Sequence, residues 1–260
     1  MTLRWSIQVG EVGAQPWLAE DALRPLPAAS VGKLLLLGCA AEMFADGSLS
    51  REEALSRRDA PFARDCGIWH TLHQDELPAV DVARLIGLVS DNLATNVLLR
   101  RIGLDQVGVW ARRLTLTPLH LLDYVRDSRV GLDPSTPPML SSANAERLFY
   151  FMELLAAGTV SNEVAEWLSL NTDLSMVADA FGLDPLAHNG IGAPVSGGIT
   201  LVNKTGTDVG VRADVGLVHA GATRTAYAVM ANWDEDEDGD CTSEVITRMR
   251  EIGGQIRARL

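Results

Sequence analysis

Basic residues are scarce in this chain of 260 residues. Lysine and arginine together number 22, against 34 aspartate and glutamate residues, which gives a formal net charge of -12 at pH 7. Nucleic acids and anionic membranes bind basic surfaces, so this balance excludes both as the main partner. Any positive charge that an anionic substrate meets must therefore be local.

Cysteine and histidine are too few and too scattered to form a disulfide framework or a metal centre. The three cysteines cannot all pair, and they show no metal-ligand spacing. The histidines share no such spacing either. They are His70, His73, His120, His188 and His219. Because no Gly-rich phosphate loop occurs either, the sequence predicts no metal and no organic cofactor.

The sequence as written shows no pattern of an export signal and no membrane-length apolar run. No basic stretch at the N-terminus precedes an apolar segment and a cleavage site, and the longest apolar run, at 34–41, is too short to span a bilayer. As written, the sequence predicts a cytoplasmic protein without a membrane span. A leader removed beforehand would instead mean an exported protein. No obligate protein partner is indicated.

Hydrophobic patterning predicts strands at both ends of the chain and helices between them. Strands are predicted at 4–12, 199–203, 212–220 and 225–232, with a turn into a further strand at 15–18. Helices are predicted at 30–44, 50–55, 80–89, 93–102, 105–114, 142–156, 162–170 and 243–260. The segment 115–138 is predicted to be a long irregular loop, and 182–198 a return crossing.

This order of elements predicts an α+β fold in which both ends of the chain form one antiparallel sheet and an all-helical lobe is inserted. Residues 1–29 together with 190–260 would form the sheet and its terminal helix. Residues 30–189 would form the helical lobe, and the two lobes would make one compact unit.

Ser30 and Lys33 begin the most apolar helix of this pattern. Three residues apart on a helix, they share a face, so the amine can reach the hydroxyl. Serine is a weak nucleophile that needs a neighbouring base, and lysine serves as one only when its proton is easily lost. The structural alternative is that Ser30 is an N-cap and Lys33 a surface residue.

Two further short motifs follow in order. Ser90-Asp91-Asn92 falls at a break between two helices, and Lys204-Thr205-Gly206 at the end of a strand. Taken singly, the first is also a helix stop and N-cap and the second a hairpin turn. The ordered set S-x-x-K, S-D-N and K-T-G marks class A β-lactamases and penicillin-binding proteins. The sequence resembles that family over nearly its whole length, and the resemblance implies a β-lactamase-like fold.

The resemblance implies a catalytic role for four of these residues. Ser30 would be the acylated nucleophile and Lys33 its proton acceptor. Ser90 would relay a proton to the leaving amine, and Lys204 would hold Ser90 and attract the substrate carboxylate.

It implies substrate contacts for others. Asn92 would bind the acylamide group of the substrate, and Thr205 its carboxylate. Gly206 would let the substrate lie close to the strand, and the backbone N–H groups of Ser30 and Thr207 would form an oxyanion hole. Arg212, at the start of the adjacent strand, is either a second carboxylate-binding cation or a solvated arginine.

One motif of that family is missing. No Glu-x-x-Leu-Asn, whose glutamate activates the deacylating water, occurs here. Arg126 stands nearest to its expected place, and Asp127 and Asp123 are the candidate substitutes. The sequence therefore predicts fast or moderate acylation with poor deacylation.

The resulting hypothesis is a serine hydrolase of the class A β-lactamase type that acts on a small-molecule β-lactam, peptide or ester substrate. A D,D-peptidase or esterase is the first alternative. A non-hydrolytic penicilloyl-binding or sensor protein is the second.

An acidic run near the C-terminus raises a separate hypothesis. Asp234, Asp236 and Asp238 precede Gly239 in the pattern that opens many calcium loops. The glutamate expected at the twelfth position is replaced by Val245. A solvated acidic turn is the favoured interpretation and a calcium site the weaker one.

Overall fold

The computed structural model describes residues 3–129, 131–187 and 198–260. The strands are β1 (Arg4–Glu11), β2 (Leu18–Glu20), β3 (Leu26–Pro27), β4 (Ala54–Ser56), β5 (Glu76–Pro78), β6 (His120–Leu121), β7 (Ser141–Ala143), β8 (Ile199–Asp208), β9 (Val211–Ala220) and β10 (Thr223–Asn232). The helices are α1 (Lys33–Asp46), α2 (Ala79–Val89), α3 (Asn92–Ile102), α4 (Leu104–Arg113), α5 (Ala145–Ala156), α6 (Asn162–Leu168), α7 (Glu235–Asp238) and α8 (Thr242–Arg257).

The main sheet is antiparallel and joins strands from both ends of the chain, which confirms the predicted fold. Its strand order is β2-β1-β10-β9-β8. The edge strand β8 is in register with β9, so that Lys204 lies opposite Val215 and Thr207 opposite Arg212. The third sequence motif is therefore on an open sheet edge.

Helices cover both faces of this sheet. One face packs into the larger core with α1 to α6, and the other packs against α8 and a short 3-10 helix, Val177–Phe181. Helix α1 runs through the larger core, and every residue at 33–41 is buried. A helix that is apolar all round belongs inside a protein. No helix within the described ranges is long and apolar enough to cross a membrane.

Three element predictions are wrong in detail. The short helix predicted at 50–55 is instead a turn that leads into strand β4, in which buried Leu55 pairs with Leu77 of β5. An isolated helix of six residues is only marginally stable in water, whereas the strand is stabilised by its pairing with β5. The helix predicted at 142–156 begins only after Asn144, whose side chain caps α5, because Ser141–Ala143 is strand β7. The terminal helix ends at Arg257.

Strand β8 extends to Asp208, five residues beyond the end predicted at 203, so the third motif lies within the strand. Most other boundaries agree closely. Helix α1 ends at Asp46, and Gly47 follows with a φ of 79°, as the predicted stop requires. The segment predicted at 182–198 lies mostly outside the described residues, as does His188. The division into lobes at 1–29, 30–189 and 190–260 stays a prediction.

Two adjacent glycines in α8 provide a test of how tightly this helix packs. A Cβ on Gly253 would lie 2.2 Å from the backbone oxygen of Val177, whereas a Cβ on Gly254 would meet no atom within 4 Å. We expect Gly253→Ala to lower the free energy of unfolding by about 1 to 3 kcal/mol through overpacking. Gly254→Ala should raise it by up to about 1 kcal/mol, because alanine favours a helix. Chemical denaturation of both variants checks this, and equal effects would contradict the packing described.

Candidate active site

Ser30 sits in a 3-10 turn, Ala29–Gly32, directly before α1. The helix therefore starts three residues later than predicted. The turn is pinned: Ser141 Oγ donates to the carbonyl of Ala29 at 2.6 Å, and a Cβ on Gly32 would lie 2.2 Å from Ser141 Cβ. Ala29 has a φ of 45°, which is strained for a residue with a side chain. The tertiary packing fixes the position of Ser30.

Lys33 is fully buried, and its amine faces the second motif. Its Nζ donates to the carbonyl oxygen of Ser90 at 2.6 Å, to Asn92 Oδ1 at 2.6 Å and to Ser90 Oγ at 3.2 Å. Burial, helped by nearby Lys204, lowers the pKa of Lys33 to about 7. A large fraction of this amine is therefore neutral near pH 7 and can accept a proton.

The second motif is a helix break held by Asp91. Ser90 ends α2 with a left-handed φ of 55°. Asp91 is buried; one carboxylate oxygen caps α3 by accepting from Ala94 N at 2.8 Å, and the other accepts from Ile68 N and Trp69 N at 2.7 and 2.8 Å. The motif is thus both a helix cap and the support that presents Ser90.

Asn92 connects Lys33 to an acidic residue that the sequence reasoning missed. While Asn92 Oδ1 accepts from Lys33, Asn92 Nδ2 donates to Asp65 Oδ1. This pairing fixes the orientation of the amide, because its oxygen faces an amine and its nitrogen a carboxylate.

Lys204 reaches Ser90 from the sheet side. Its Nζ donates to Ser90 Oγ at 2.9 Å and to the carbonyl of Thr205 at 2.8 Å. Burial lowers the pKa of Lys204 to about 8, although Cys66, Asp173 and Asp214 act in the opposite direction. The Ser90 hydroxyl therefore lies between two buried amines.

These are the only two lysines in the sequence, and the other twenty basic residues are arginines. The presence of only two lysines, one in each of two motifs, could have marked both as functional residues from the sequence alone. Arginine stays protonated at any physiological pH, whereas a buried lysine can exchange its proton.

Gly206 has a structural reason that differs from the predicted one. A Cβ at this position would lie 2.5 Å from the backbone oxygen of Ala28 and 3.2 Å from Ser30 N. The missing side chain lets β8 pack against the turn that carries the nucleophile candidate. It thereby brings Thr207 next to Ser30.

Two adjoining cavities meet at Ser30. Both are lined by Ser30, Asp65, Asn92, Thr207 and Asp208. The first, about 470 Å³, extends under residues 125–129 and 138–140, and we call it the Arg126 cavity. The second, about 510 Å³, also contains Ser90, Cys66, Thr205 and residues 171–173, and we call it the Ser90 cavity.

In the described part of the loop over the Arg126 cavity, the two candidate carboxylates, Asp123 and Asp127, both accept hydrogen bonds. Asp123 is nearly buried, and its oxygens accept from Arg126 at 2.7 Å and from Arg129 at 2.8 Å. Burial opposes ionisation of Asp123, but the two guanidinium groups prevail and hold its pKa below the usual range. These ion pairs weaken Asp123 as a base, and Asp123 is not among the described residues that line either cavity. Its role as a deacylation substitute stays a prediction. Asp127 does line the Arg126 cavity and accepts from Arg64 N at 3.0 Å.

Arg212 is not among the described residues that line either cavity. Its guanidinium donates to the carbonyls of Asp208 and Val211 at 2.8 Å each and to Thr242 Oγ1 at 3.3 Å, and it stacks on Trp233. These contacts hold the guanidinium at the end of the sheet, and a carboxylate-binding role for Arg212 stays a prediction.

A buried network behind β8 was also missed. Asp214, which pairs with Thr205, accepts from Asn203 Nδ2 and Tyr227 OH at 3.1 Å each. Burial raises the pKa of Asp214 to about 7, despite these donors. The network supports the strand beneath Thr205.

The acidic run at 234–240 forms a capped turn. Asp234 caps the short helix α7 by accepting from Asp236 N at 3.0 Å. In the part of the chain that the structure describes, no group of three or more His, Cys, Asp or Glu residues is placed to hold a metal ion. The weaker calcium interpretation of Asp234, Asp236 and Asp238 gains no support.

Comparison with known proteins agrees with this geometry. A family model described as the β-lactamase enzyme family matches residues 3–257, while a search of curated protein sequences gave no match. A β-lactamase from Sphaerobacter thermophilus is 20% identical, with 99% of this chain and 92% of that chain covered at a TM-score of 0.80. PBP-A is 19% identical, with 99% and 91% covered at 0.77. At these identities the solved structures show a shared fold, whereas the family match spans nearly the whole chain. The chain belongs to the β-lactamase enzyme family.

Proposed function

We propose that the protein is a serine hydrolase whose Ser30 is acylated by β-lactams or by related small amides and esters. The observation that carries the proposal is the convergence of Lys33 and Lys204 on Ser90 Oγ, at 3.2 and 2.9 Å, in a cleft that Ser30 lines. Two amines that contact one hydroxyl repel each other when both are charged, so this arrangement does not favour stability. It suits proton transfer through Ser90, because a neutral Lys33 can accept and return a proton.

Acylation begins with proton transfer. Neutral Lys33 takes the proton of the Ser30 hydroxyl, directly or through a water molecule, while Ser30 Oγ bonds to the carbonyl carbon of the substrate. The carbonyl oxygen gains the negative charge and accepts from the backbone N–H groups of Ser30 and Thr207. The packing of Gly206 against Ser30 N supports this pairing of donors.

Collapse of the intermediate then breaks the bond to the leaving group. Ser90 gives its proton to the departing nitrogen or oxygen and regains one from Lys33, whose Nζ already contacts it. Protonated Lys204 stabilises the transient oxyanion of Ser90. Lys33 ends this half of the cycle neutral, and the acyl group stays on Ser30.

Hydrolysis of the acyl-enzyme requires an activated water, and here the machinery is weak. The ion pairs of Asp123 occupy its oxygens, and Arg126 stands where the family's glutamate is expected. Asp127 is the remaining candidate base in the Arg126 cavity. We infer that deacylation limits turnover. A solved structure of a PBP-A mutant is an acyl-enzyme complex with penicillin G, which supports a long-lived adduct on this fold.

The same apparatus would serve a D,D-peptidase or an esterase, and a protein that stays acylated would be a sensor. A cytoplasmic location would place cross-linked peptidoglycan out of reach and favour a small ester or amide. Parallel assays with nitrocefin, D-Ala-D-Ala peptides and p-nitrophenyl esters separate these functions.

Mass spectrometry of the protein with nitrocefin tests the nucleophile. We expect a single covalent adduct on Ser30, because Ser30 lines both cavities and lies three residues before the buried Lys33. Ser30→Ala should abolish the adduct, whereas Ser243→Ala, a change at an exposed position on α8, should not. The proposal is contradicted if the wild-type protein forms no adduct with nitrocefin and also does not hydrolyse it.

The acylation rate should depend on pH with two limbs. It should rise as the pH passes about 7, because Lys33 must be neutral to accept a proton, and fall above about 8, because Lys204 must stay protonated. Stopped-flow measurement of acylation between pH 5.5 and 10 checks this. A single limb near the ordinary lysine pKa would be inconsistent with the mechanism.

Arg126→Glu tests the missing base. We expect it to accelerate deacylation at least about 10-fold, because a positioned carboxylate activates water. Arg126→Gln is the matched control, since it removes the same pairing with Asp123 without adding a base. The deacylation rate is measured as the decay of the adduct over time. Equal rates in the two variants would show that the missing base does not limit turnover.

A further inference from the structure

The leaving group of a substrate on Ser30 would occupy the Ser90 cavity. Ser90 protonates the leaving atom in the proposed mechanism, and this cavity contains Ser90 beside Ser30 and Thr205. In a β-lactam or a peptide that ends in D-alanine, the leaving side carries a carboxylate. The charges around this cavity therefore decide which leaving groups bind well.

The Ser90 cavity offers a substrate carboxylate little positive charge. Among the described residues that line the Ser90 cavity, none is an arginine or a lysine. Three N–H groups of Arg212 donate to groups at the end of the sheet, and Arg212 is not among these lining residues. Lys204 lies behind the wall and donates to Ser90 Oγ and to the carbonyl of Thr205. A substrate carboxylate thus meets one buried amine that is already shared.

Asp173 instead contributes a negative charge at this place. Asp173 lines the Ser90 cavity, and its Oδ1 accepts from Ser175 Oγ at 2.7 Å and from Ser175 N at 3.2 Å. Its backbone oxygen accepts from the side chains of Asn171 and Asn203, at 3.1 and 3.3 Å. These bonds hold the carboxylate in place.

The charge of Asp173 reaches the catalytic lysine. It raises the pKa of Lys204 against the dominant effect of burial. The same field acts on a substrate carboxylate that would bind beside Lys204, but there it is repulsive.

We propose that Asp173 is a specificity-determining residue that makes the leaving-group side of this cleft favour neutral or positively charged leaving groups over those that carry a carboxylate. The inference rests on the proposed acylation of Ser30. It identifies the preferred substrates as esters and amides whose leaving alcohol or amine lacks a carboxylate.

The test compares nitrocefin with its methyl ester, which has the same acyl group and chromophore but no carboxylate. The measured quantity is the second-order rate constant for acylation of Ser30. Asp173→Asn keeps the size of the side chain and removes its charge, so it should raise this constant about 10-fold for the acid and less than about 2-fold for the ester. Asp105→Asn, at an exposed position on α4, makes the same change in net charge and should alter neither.

A second measurement does not depend on the variant folding. In the wild type, added salt should raise the acid-to-ester ratio, because screening weakens the repulsion. An unchanged ratio both in salt and in Asp173→Asn would overturn the inference while Ser30 acylation still stood. Absence of a Ser30 adduct with both substrates would overturn the proposed function and this inference together.

Discussion

Two buried amines meet at one hydroxyl, and the rest of the site depends on that meeting. Lys33 and Lys204 are both inaccessible to water, and each contacts Ser90 Oγ. Burying two like charges side by side is unfavourable unless one gives up its proton. Burial therefore favours loss of the proton from Lys33, whose pKa falls to about 7, and leaves Lys204, with a pKa of about 8, as the more strongly protonated amine.

The fold maintains this arrangement from three directions. Helix α1 fixes Lys33 in the core, the Asp91 cap fixes Ser90 between two helices, and the edge strand β8 brings Lys204 across. Strand β8 approaches the turn that precedes α1 closely, because Gly206 leaves no side chain between β8 and Ser30. The site is thus the line where the helices and the sheet edge meet, which is why no single element contains it.

Much of this could be predicted from the sequence, because periodicity and short motifs report local structure. The strands at both ends, the central helices, and the places of Ser30, Lys33, Ser90 and Lys204 follow from such signals. Tertiary contacts carry no such signal. The pairing of Leu55 with Leu77 is one such contact, and it stabilises a strand where a helix was predicted. The hydrogen bond of Arg212 to Thr242 at the end of the sheet is another. Asp65 and Asp173 enter the cleft from loops whose course no local pattern reveals.

The most direct test of the central claim is an NMR titration of protein labelled with ¹³C at the lysine Cε atoms. Because the chain has two lysines, the spectrum contains two signals, and a Lys33→Arg variant assigns them. We expect Lys33 to titrate near pH 7 and Lys204 near pH 8. Titration of both near the ordinary lysine pKa, about 10.4, would contradict the coupling of the two buried amines.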